Sequence, residues 1–474
     1  MKIIINILII FLILTPLNLE AHKRAIYNLI IDTDGGQDDF RALSLFAASA
    51  EFNINAITSV DGILNPDETS SFAKSLMEYF GHDGILIASG LKNTNKTTTT
   101  KYRDFVFPHW QKLFSESKPI NQSATETMYR VISNERKATV IVALGPLTNI
   151  KQLIEKHPEA LDKIGLIIWY NNTRNISESY NYQSDPESFD YLISVNAPLK
   201  LIYSAEKISY TKTFNDDIKQ LDNAYANIWY EFHDGMKNHR FEVWDELSVL
   251  YLLNPIMFKE SYSENGLPLL EPSIRFIPEV QISAILNIDK SLGGVIYNEI
   301  PKEGQWLVSD SRNWTDTIVK KFGYPEFKIV ALTSEFHSHL GTYSIVGAKL
   351  GMRAMEYFHV GLDEINVISY AGFMPPLSCL NDGLQFGTGA TLGYGNISVD
   401  TNDIAKPAAT ITYNGRSIYF ELKEEWYSKI ENDIEKLVNK YGLDSELYWT
   451  ELREISFQYW LDMDRKEIFN IKEL

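Results

Sequence analysis

Tyr27-Asn28-Leu29-Ile30-Ile31 runs straight into Asp32-Thr33-Asp34-Gly35-Gly36-Gln37-Asp38-Asp39. The first five residues read as a buried strand. Four carboxylates then fall within eight residues. Like charges this close repel, and their ionised forms are costly unless a cation sits among them. Hard oxygen donors suit Ca²⁺ or Mg²⁺. The two glycines let the backbone turn tightly. The spacing is not that of an EF-hand, whose ligands spread along a longer loop closed by a Glu. The plain alternative is a solvated acidic turn capping a helix that starts at Phe40. The strand in front favours a site, because ligands of parallel α/β sheets gather at the carboxyl ends of strands.

Outward from this segment the pattern alternates. Ile54–Val60, Thr139–Leu144, Ile164–Tyr170 and Leu199–Tyr203 read as further buried strands. Phe40–Ala50, Asp67–Phe80, Leu147–His157 and Ser188–Asn196 read as amphipathic helices. Such alternation predicts an α/β fold with a mainly parallel sheet and flanking helices. A smaller α+β domain is expected after it. There Lys328–Leu332 reads as a strand and Tyr343–Val360 as a helix ending at Gly361. Asn414-Gly415 between Ala408–Tyr413 and Ser417–Leu422 is a hairpin signal. Two helices follow, one apolar along Trp426, Ile430, Ile434, Leu437 and Tyr441 and ended by Gly442, the other over about 445–463. The expected division is a signal segment at 1–21, a first domain at 24–327 and a second at 328–474.

The chain has 474 residues, 62 Asp and Glu against 44 Lys and Arg, and a formal charge of −18. That length suits more than one domain, since single cores stop growing near about 250–300 residues. With 45% hydrophobic residues it is not a disordered chain. The acidic balance excludes a general nucleic-acid binder, which needs a basic face. One cysteine excludes a disulfide scaffold and any zinc module built on several thiolates. Lys2, the apolar run Ile3–Leu14, Pro16 and a small residue at Ala21 form a secretory signal pattern. The apolar run is too short for a mature spanning helix, and no later stretch is longer. The expectation is a secreted or periplasmic protein without stable membrane insertion, in which Cys379 is a free thiol.

The acidic segment resembles the fingerprint of the inosine–uridine-preferring nucleoside hydrolases, a strand followed by D-x-D-P-G-x-D-D, with Gly35 in place of the proline. Three later segments are similar in the same order. They are Ala143-Leu144-Gly145-Pro146-Leu147-Thr148-Asn149, then Asn181 with Asp185-Pro186-Glu187, then Trp244-Asp245-Glu246-Leu247. The resemblance covers roughly 25–325 and implies hydrolysis of the N-glycosidic bond of a ribonucleoside or related N-riboside. It implies Ca²⁺ held by Asp34, Asp39, Asp245 and the carbonyl of Leu144. It makes Asp34 the general base, has Asp38 and Asn181 hold ribose hydroxyls, and puts Asp32 in a supporting role. It also implies a dimer or tetramer. Such a reaction passes through an oxocarbenium-like state and needs an activated water on one face of the sugar. Asp245 and Asp185 also fit plain helix caps, and Asp185 before Pro186 is read as one.

Three positions depart from the family pattern. Trp244 replaces a histidine that helps the base leave. Ser179 replaces a glutamate that contacts ribose, with Glu178 beside it. Ile63, after Gly62, replaces an asparagine. Trp244 suits stacking on a flat group. His233 and His239, just upstream, are candidates for the missing acid, and His239 is placed on the substrate side. The second reading is therefore a catalytically weakened nucleoside- or sugar-binding protein of the cell envelope.

Further on, Phe336-His337-Ser338-His339, Ser378-Cys379-Leu380-Asn381-Asp382-Gly383-Leu384-Gln385 and Thr388–Asn396 resemble the E-subunit family of formylmethanofuran dehydrogenase over roughly 328–425. Gly341 and Ala390 stand where that family has further cysteines. His337, His339 and Cys379 remain as a candidate Zn²⁺ site with an open position, or as its vestige.

Overall fold

A computed structural model describes residues 25–92, 102–114, 122–135, 137–205, 207–234, 242–273, 276–287, 302, 305, 307–401 and 404–474. The signal segment and His239 lie outside these residues, as does the His233 side chain.

Two sheets organise the molecule. The first contains β1 (Tyr27–Thr33), β2 (Phe52–Ser59), β3 (Leu86–Ser89), β4 (Thr139–Ala143), β5 (Ile164–Tyr170), β6 (Leu199–Ile202), β7 (Phe258–Tyr262) and β8 (Pro268–Pro272). Their order is β3-β2-β1-β4-β5-β6-β8-β7, parallel throughout except where β7 meets β8. All eight residues of β2 are buried, as are the last six of β1. The reason is that helices cover both faces, so each strand is a continuous apolar run rather than an alternating one. Leu29 and Ile31 join Val140 and Val142 in the core on one face. Ile30 joins Ile141, Ile167 and Leu201 on the other.

This order reverses direction between β1 and β4, and at that point the chain diverges to opposite sides of the sheet. A crevice opens beyond the carboxyl ends of these strands. The acidic segment leaves β1 into it, and Leu144 leaves β4 beside it.

The second sheet contains β9 (Asn366–Ser369), β10 (Ile397–Val399), β11 (Ala408–Tyr413), β12 (Arg416–Leu422) and β13 (Phe469–Glu473), in the order β10-β9-β11-β12-β13. The Asn414-Gly415 turn joins β11 to β12 with both residues at positive φ, as a two-residue hairpin requires. The helices Thr342–Phe358, Glu424–Tyr441 and Glu446–Asp462 pack around this sheet.

One expected element is wrong. Lys328–Leu332, whose composition predicts a strand, lies in the helix Arg312–His337, which is broken at Gly323 (φ 82°) just before Pro325. Ile318, Phe322, Phe327 and Val330 are buried in the second core at helical spacing, so tertiary packing overrides β propensity here. Among the described residues, no helix is long and apolar enough to cross a membrane.

The two units meet at the amino ends of the first sheet's strands. Arg353 donates to the Gly81 carbonyl (2.6 Å) and pairs with Asp83. Tyr413 donates to Asn55 (2.7 Å), and the ring nitrogens of His82 and His359 bond to the carbonyls of Glu356 (2.7 Å) and Ala47 (2.8 Å). This docking surface is at the opposite end of the sheet from the acidic crevice.

Candidate functional site

The helix Gln37–Ala48 starts immediately after Gly36, with Asp38 and Asp39 in its first turn. Carboxylates there are favoured by the exposed N–H groups and the helix dipole. Asp39 Oδ1 accepts from the Thr33 hydroxyl and from Asp34 N (3.0 Å), which locks the loop onto the helix start. Asp34 accepts from Gly36 N at Oδ1 (3.3 Å) and from Ile63 N at Oδ2 (3.2 Å). A Cβ on Gly62 would sit 2.1 Å from that second oxygen, so this glycine lets the next strand's loop lie against Asp34.

Asp32 faces away from the crevice opening. It is fully buried and accepts from Thr58 (2.7 Å) and Asn149 (2.8 Å). Asn149 also donates to the Ser59 carbonyl (2.9 Å), so it ties the ends of β1 and β2 to the helix after β4. Burial nevertheless pushes the Asp32 carboxyl up to about 7.

Asp38, Asp39 and Asp245 are the group that converges. They bring one ligating oxygen each within 4.8 Å of one another, and no other His, Cys, Asp or Glu group of three or more does so among the described residues. The resemblance assigns Asp34 to the cation and Asp38 to the sugar. In the structure Asp38 joins the cluster, and Asp34 approaches it from the side. The Gly36 Cα marks the meeting point: a Cβ there would lie 2.7 Å from Asp38 Oδ1 and from Asp39 Oδ2, and 3.7 Å from Asp34 Oδ1.

Asp245 occupies the position before the helix Glu246–Leu253 but makes no capping bond. Both its oxygens are buried and receive no hydrogen bond from a described residue. Its carboxyl is pushed well above the usual carboxylate range, first by burial and then by Asp38, Asp39 and Asp34. Asp38 is pushed up to about 7 by burial and by Asp39, with Arg41 opposing. Asp185, by contrast, does cap its helix, accepting from Ser188 N (3.1 Å).

Arg41 is the cation nearest in sequence, and it is committed elsewhere. It forms a fully buried ion pair with Glu246, which also accepts from Tyr210 OH (3.0 Å) and Trp244 N (3.0 Å). This pair clamps the helix carrying Asp38 and Asp39 to the one following Asp245. A buried, hydrogen-bonded pair of this kind fixes geometry more than it adds stability. Arg41 therefore acts on Asp38 through its charge, while none of the three carboxylates forms an ion pair with a described residue. An all-oxygen, crowded, orphaned set fits a hard divalent cation.

The cluster forms one end of a cavity of about 380 Å³. Asp34, Leu144, Ile63, Asn181 and Trp244 line it, together with Tyr102, Tyr170, Asn171 and Tyr180. The Asn181 amide donates to the carbonyls of Leu144 (2.9 Å) and Tyr170 (3.3 Å), so two expected site groups bond to each other. The Trp244 indole N–H donates to Glu242 (3.3 Å), which fixes the ring in the wall. Ser179 is buried and caps the short helix Tyr180–Ser184, and Glu178 is exposed and bonded to Asn175 (2.7 Å), so neither lines the cavity. Sequence reading misses Arg41, Glu246, Tyr102 and Tyr170. Their only signal there is adjacency to the acidic positions or to strand ends.

The other candidate metal site does not assemble in this way. His337 Nδ1 pairs with Asp382 (2.7 Å), and its ring lies 4.3 Å from that of His339. Cys379 stands at the start of the helix Leu380–Thr388, with its thiol pushed up to about 11 by burial and by Asp382. Yet His337, His339 and Cys379 do not bring their ligating atoms within 4.8 Å. With Gly341 and Ala390 at the remaining positions, Asp382 is the charged partner His337 has. The Thr391–Asn396 turn is closed by Asn396 on Thr391 N (2.9 Å), a structural role.

The family model described as inosine-uridine preferring nucleoside hydrolase matches residues 29–319. A second model, described as FmdE, molybdenum formylmethanofuran dehydrogenase operon, matches residues 336–470. The pyrimidine-specific ribonucleoside hydrolase RihA of Photobacterium profundum is 26% identical over 256 residues, 48% of this chain and 81% of the relative. RihA of Escherichia coli is 24% identical over 258 residues, 48% of this chain and 80% of the relative. The structure of an inosine-uridine preferring nucleoside hydrolase from Bacillus anthracis aligns with TM-score 0.49 and 14% identity, covering 55% of this chain and 99% of that one.

Proposed function

We propose, from the premise that this chain belongs to the inosine-uridine preferring nucleoside hydrolase family, that its acidic cavity hydrolyses ribonucleosides with Ca²⁺ as cofactor. The chain is a hydrolase acting on N-glycosyl compounds. The observation that carries the Ca²⁺ reading is the uncompensated meeting of Asp38, Asp39 and Asp245 at the end of the cavity.

Asp34, Asp39, Asp245 and the Leu144 carbonyl would hold the ion, which supplies Lewis acidity toward water and sugar hydroxyls when bound. Asp38, which meets Asp39 and Asp245 and lines the cavity, would hold ribose hydroxyls together with Asn181. Asp34 would take the proton of the attacking water, for which its loop-end position beside the cluster is suited. Trp244 would lie against the base. The apolar walls at Ile63 and Val106 keep bulk water from the sugar. The signal-like leader would deliver the protein outside the cytoplasm.

Incubation of the purified protein with a nucleoside panel and Ca²⁺, beside Asp34→Ala, tests this. Ribose release by the wild type and its loss in the variant are expected. No release from any substrate would sink the hydrolytic reading. Calorimetric binding without turnover would establish the binding-protein alternative, which the replacements at Ile63, Ser179 and Trp244 motivate.

A further inference from the structure

Breaking an N-glycosidic bond leaves the bond's electron pair on the base nitrogen. A neutral base departs as an anion and needs a proton. A base that is already cationic departs neutral and needs none. The cavity is built for the second case. No Lys, Arg or His is among the described residues that line it. At the base end stands the Trp244 ring, held by Glu242, with Tyr102 and Tyr180 in the same wall. Glu242 itself adds a carboxylate behind that ring and pairs with exposed Lys207 (2.8 Å).

The polar atoms point the same way. Gln37 Oε1 and Asn171 Oδ1 are buried in the cavity wall and have no hydrogen-bond partner among the described residues. They are acceptors, as are the four carboxylates. A divalent ion offsets two of those four charges, so the wall stays negative. An aromatic face in a negative, partly desolvated wall attracts cations, and Trp does so best.

Resting on the hydrolase reading above, we infer that the preferred substrate is a riboside of a cationic base: an N-ribosylated pyridinium or an N7-alkylated purine. Water attacks C1′, and its oxygen forms the new bond there. The C1′–N bond breaks, and its electron pair neutralises the ring nitrogen. The proton of the water goes to Asp34 and on to solvent. The products are ribose, a neutral base and one proton, with no redox change.

The test measures kcat/KM with Ca²⁺ on nicotinamide riboside, 7-methylguanosine, uridine and inosine, using the full-length protein. At least one cationic substrate is expected to exceed both neutral ones by tenfold or more, and the two cationic arms separate pyridinium from purine. Trp244→His should narrow that gap about tenfold by supplying a proton donor and removing the indole face. Trp244→Phe, which keeps a π face, should retain most of the preference and controls for folding. Neutral nucleosides cleaved within threefold of the cationic ones would overturn the inference and leave the hydrolase reading standing. Release from none of the four would overturn both.

Discussion

At the end of the eight-stranded sheet three carboxylates meet without an ion pair to a described residue, since the nearby Arg41 is paired with Glu246. Beside the helix Leu380–Thr388, His337 meets Asp382, and each supplies what the other lacks. The first arrangement holds repulsion that protonation or an added cation relieves. The second pairs one ring nitrogen of His337 with Asp382, leaves the other buried without a partner among the described residues, and keeps its thiol apart. Metal-type side chains near one another do not make a metal site; what matters is whether folding leaves their charge uncompensated.

The largest test of this contrast is substitution at the two ends. Asp39→Asn or Asp245→Asn should abolish calorimetric Ca²⁺ binding and lower kcat on the order of 10³-fold. His337→Ala and Cys379→Ser should leave kcat within about twofold. Equal losses at both sites would erase the distinction.

The next effect is structural. Arg41→Met leaves Glu246 buried and alone, and should cost about 3–5 kcal/mol in denaturant unfolding. The double replacement Arg41→Met with Glu246→Leu should recover much of that loss. Asp382→Asn, in a partly exposed pair, should cost under about 1 kcal/mol.

Smaller again is the ligand effect on stability. Ca²⁺ at a hundredfold excess over its Kd should stabilise the wild type by about 2.7 kcal/mol, read as a rise in Tm. The rise should vanish in Asp245→Asn and persist in His337→Ala. A Zn²⁺-induced rise that disappears in His337→Ala would instead revive the second site.

The smallest effect separates buried histidines from liganding ones. His82 and His359 are buried where the units dock, and burial depresses both from their ordinary values. The unfolded chain then binds more protons than the folded one below about pH 6.5, so stability falls as pH drops through that range. A loss on the order of 1 kcal/mol per pH unit is expected, and His82→Gln should flatten the slope. A Tm that rises on acidification would contradict the assignment.

Much of the fold could be read from residue order. Buried parallel strands are plain apolar runs, and β1 with its acidic exit announces the crevice. Leu144 and Asp245 were reached through segments that resemble the family's motifs, and both line the cavity. Which carboxylates meet was not legible. The turn at Gly36 bears on whether Asp34 or Asp38 faces Asp39, and the loop is held by the Thr33 hydroxyl of the same segment and by Ile63 N, which comes from elsewhere in the fold. Arg41 reads as one more polar position on an amphipathic helix, since its partner is some two hundred residues away. Lys328–Leu332 failed for a related reason: Ile329 and Val330 carry β propensity, and a helical apolar stripe outweighs it.

The docking surface has a consequence for how the two units can cooperate. β1 runs from Asn28, bonded through Glu135 to Asn414 of the second unit, to Asp32 under the cavity. From Asn28 to Asp32, at about 3.3 Å per residue, that stretch is a strut roughly 13 Å long. The second unit therefore stands as a footing beneath the sheet rather than a neighbour at its mouth. A product leaving the cavity would have to travel through solvent around the sheet to reach it, so the fusion is mechanical rather than a conduit. Truncation after the first sheet would take from Asn53, Asn55 and His82 their bonds to Gly361 N, Tyr413 and the Glu356 carbonyl, and would bare a polar seam.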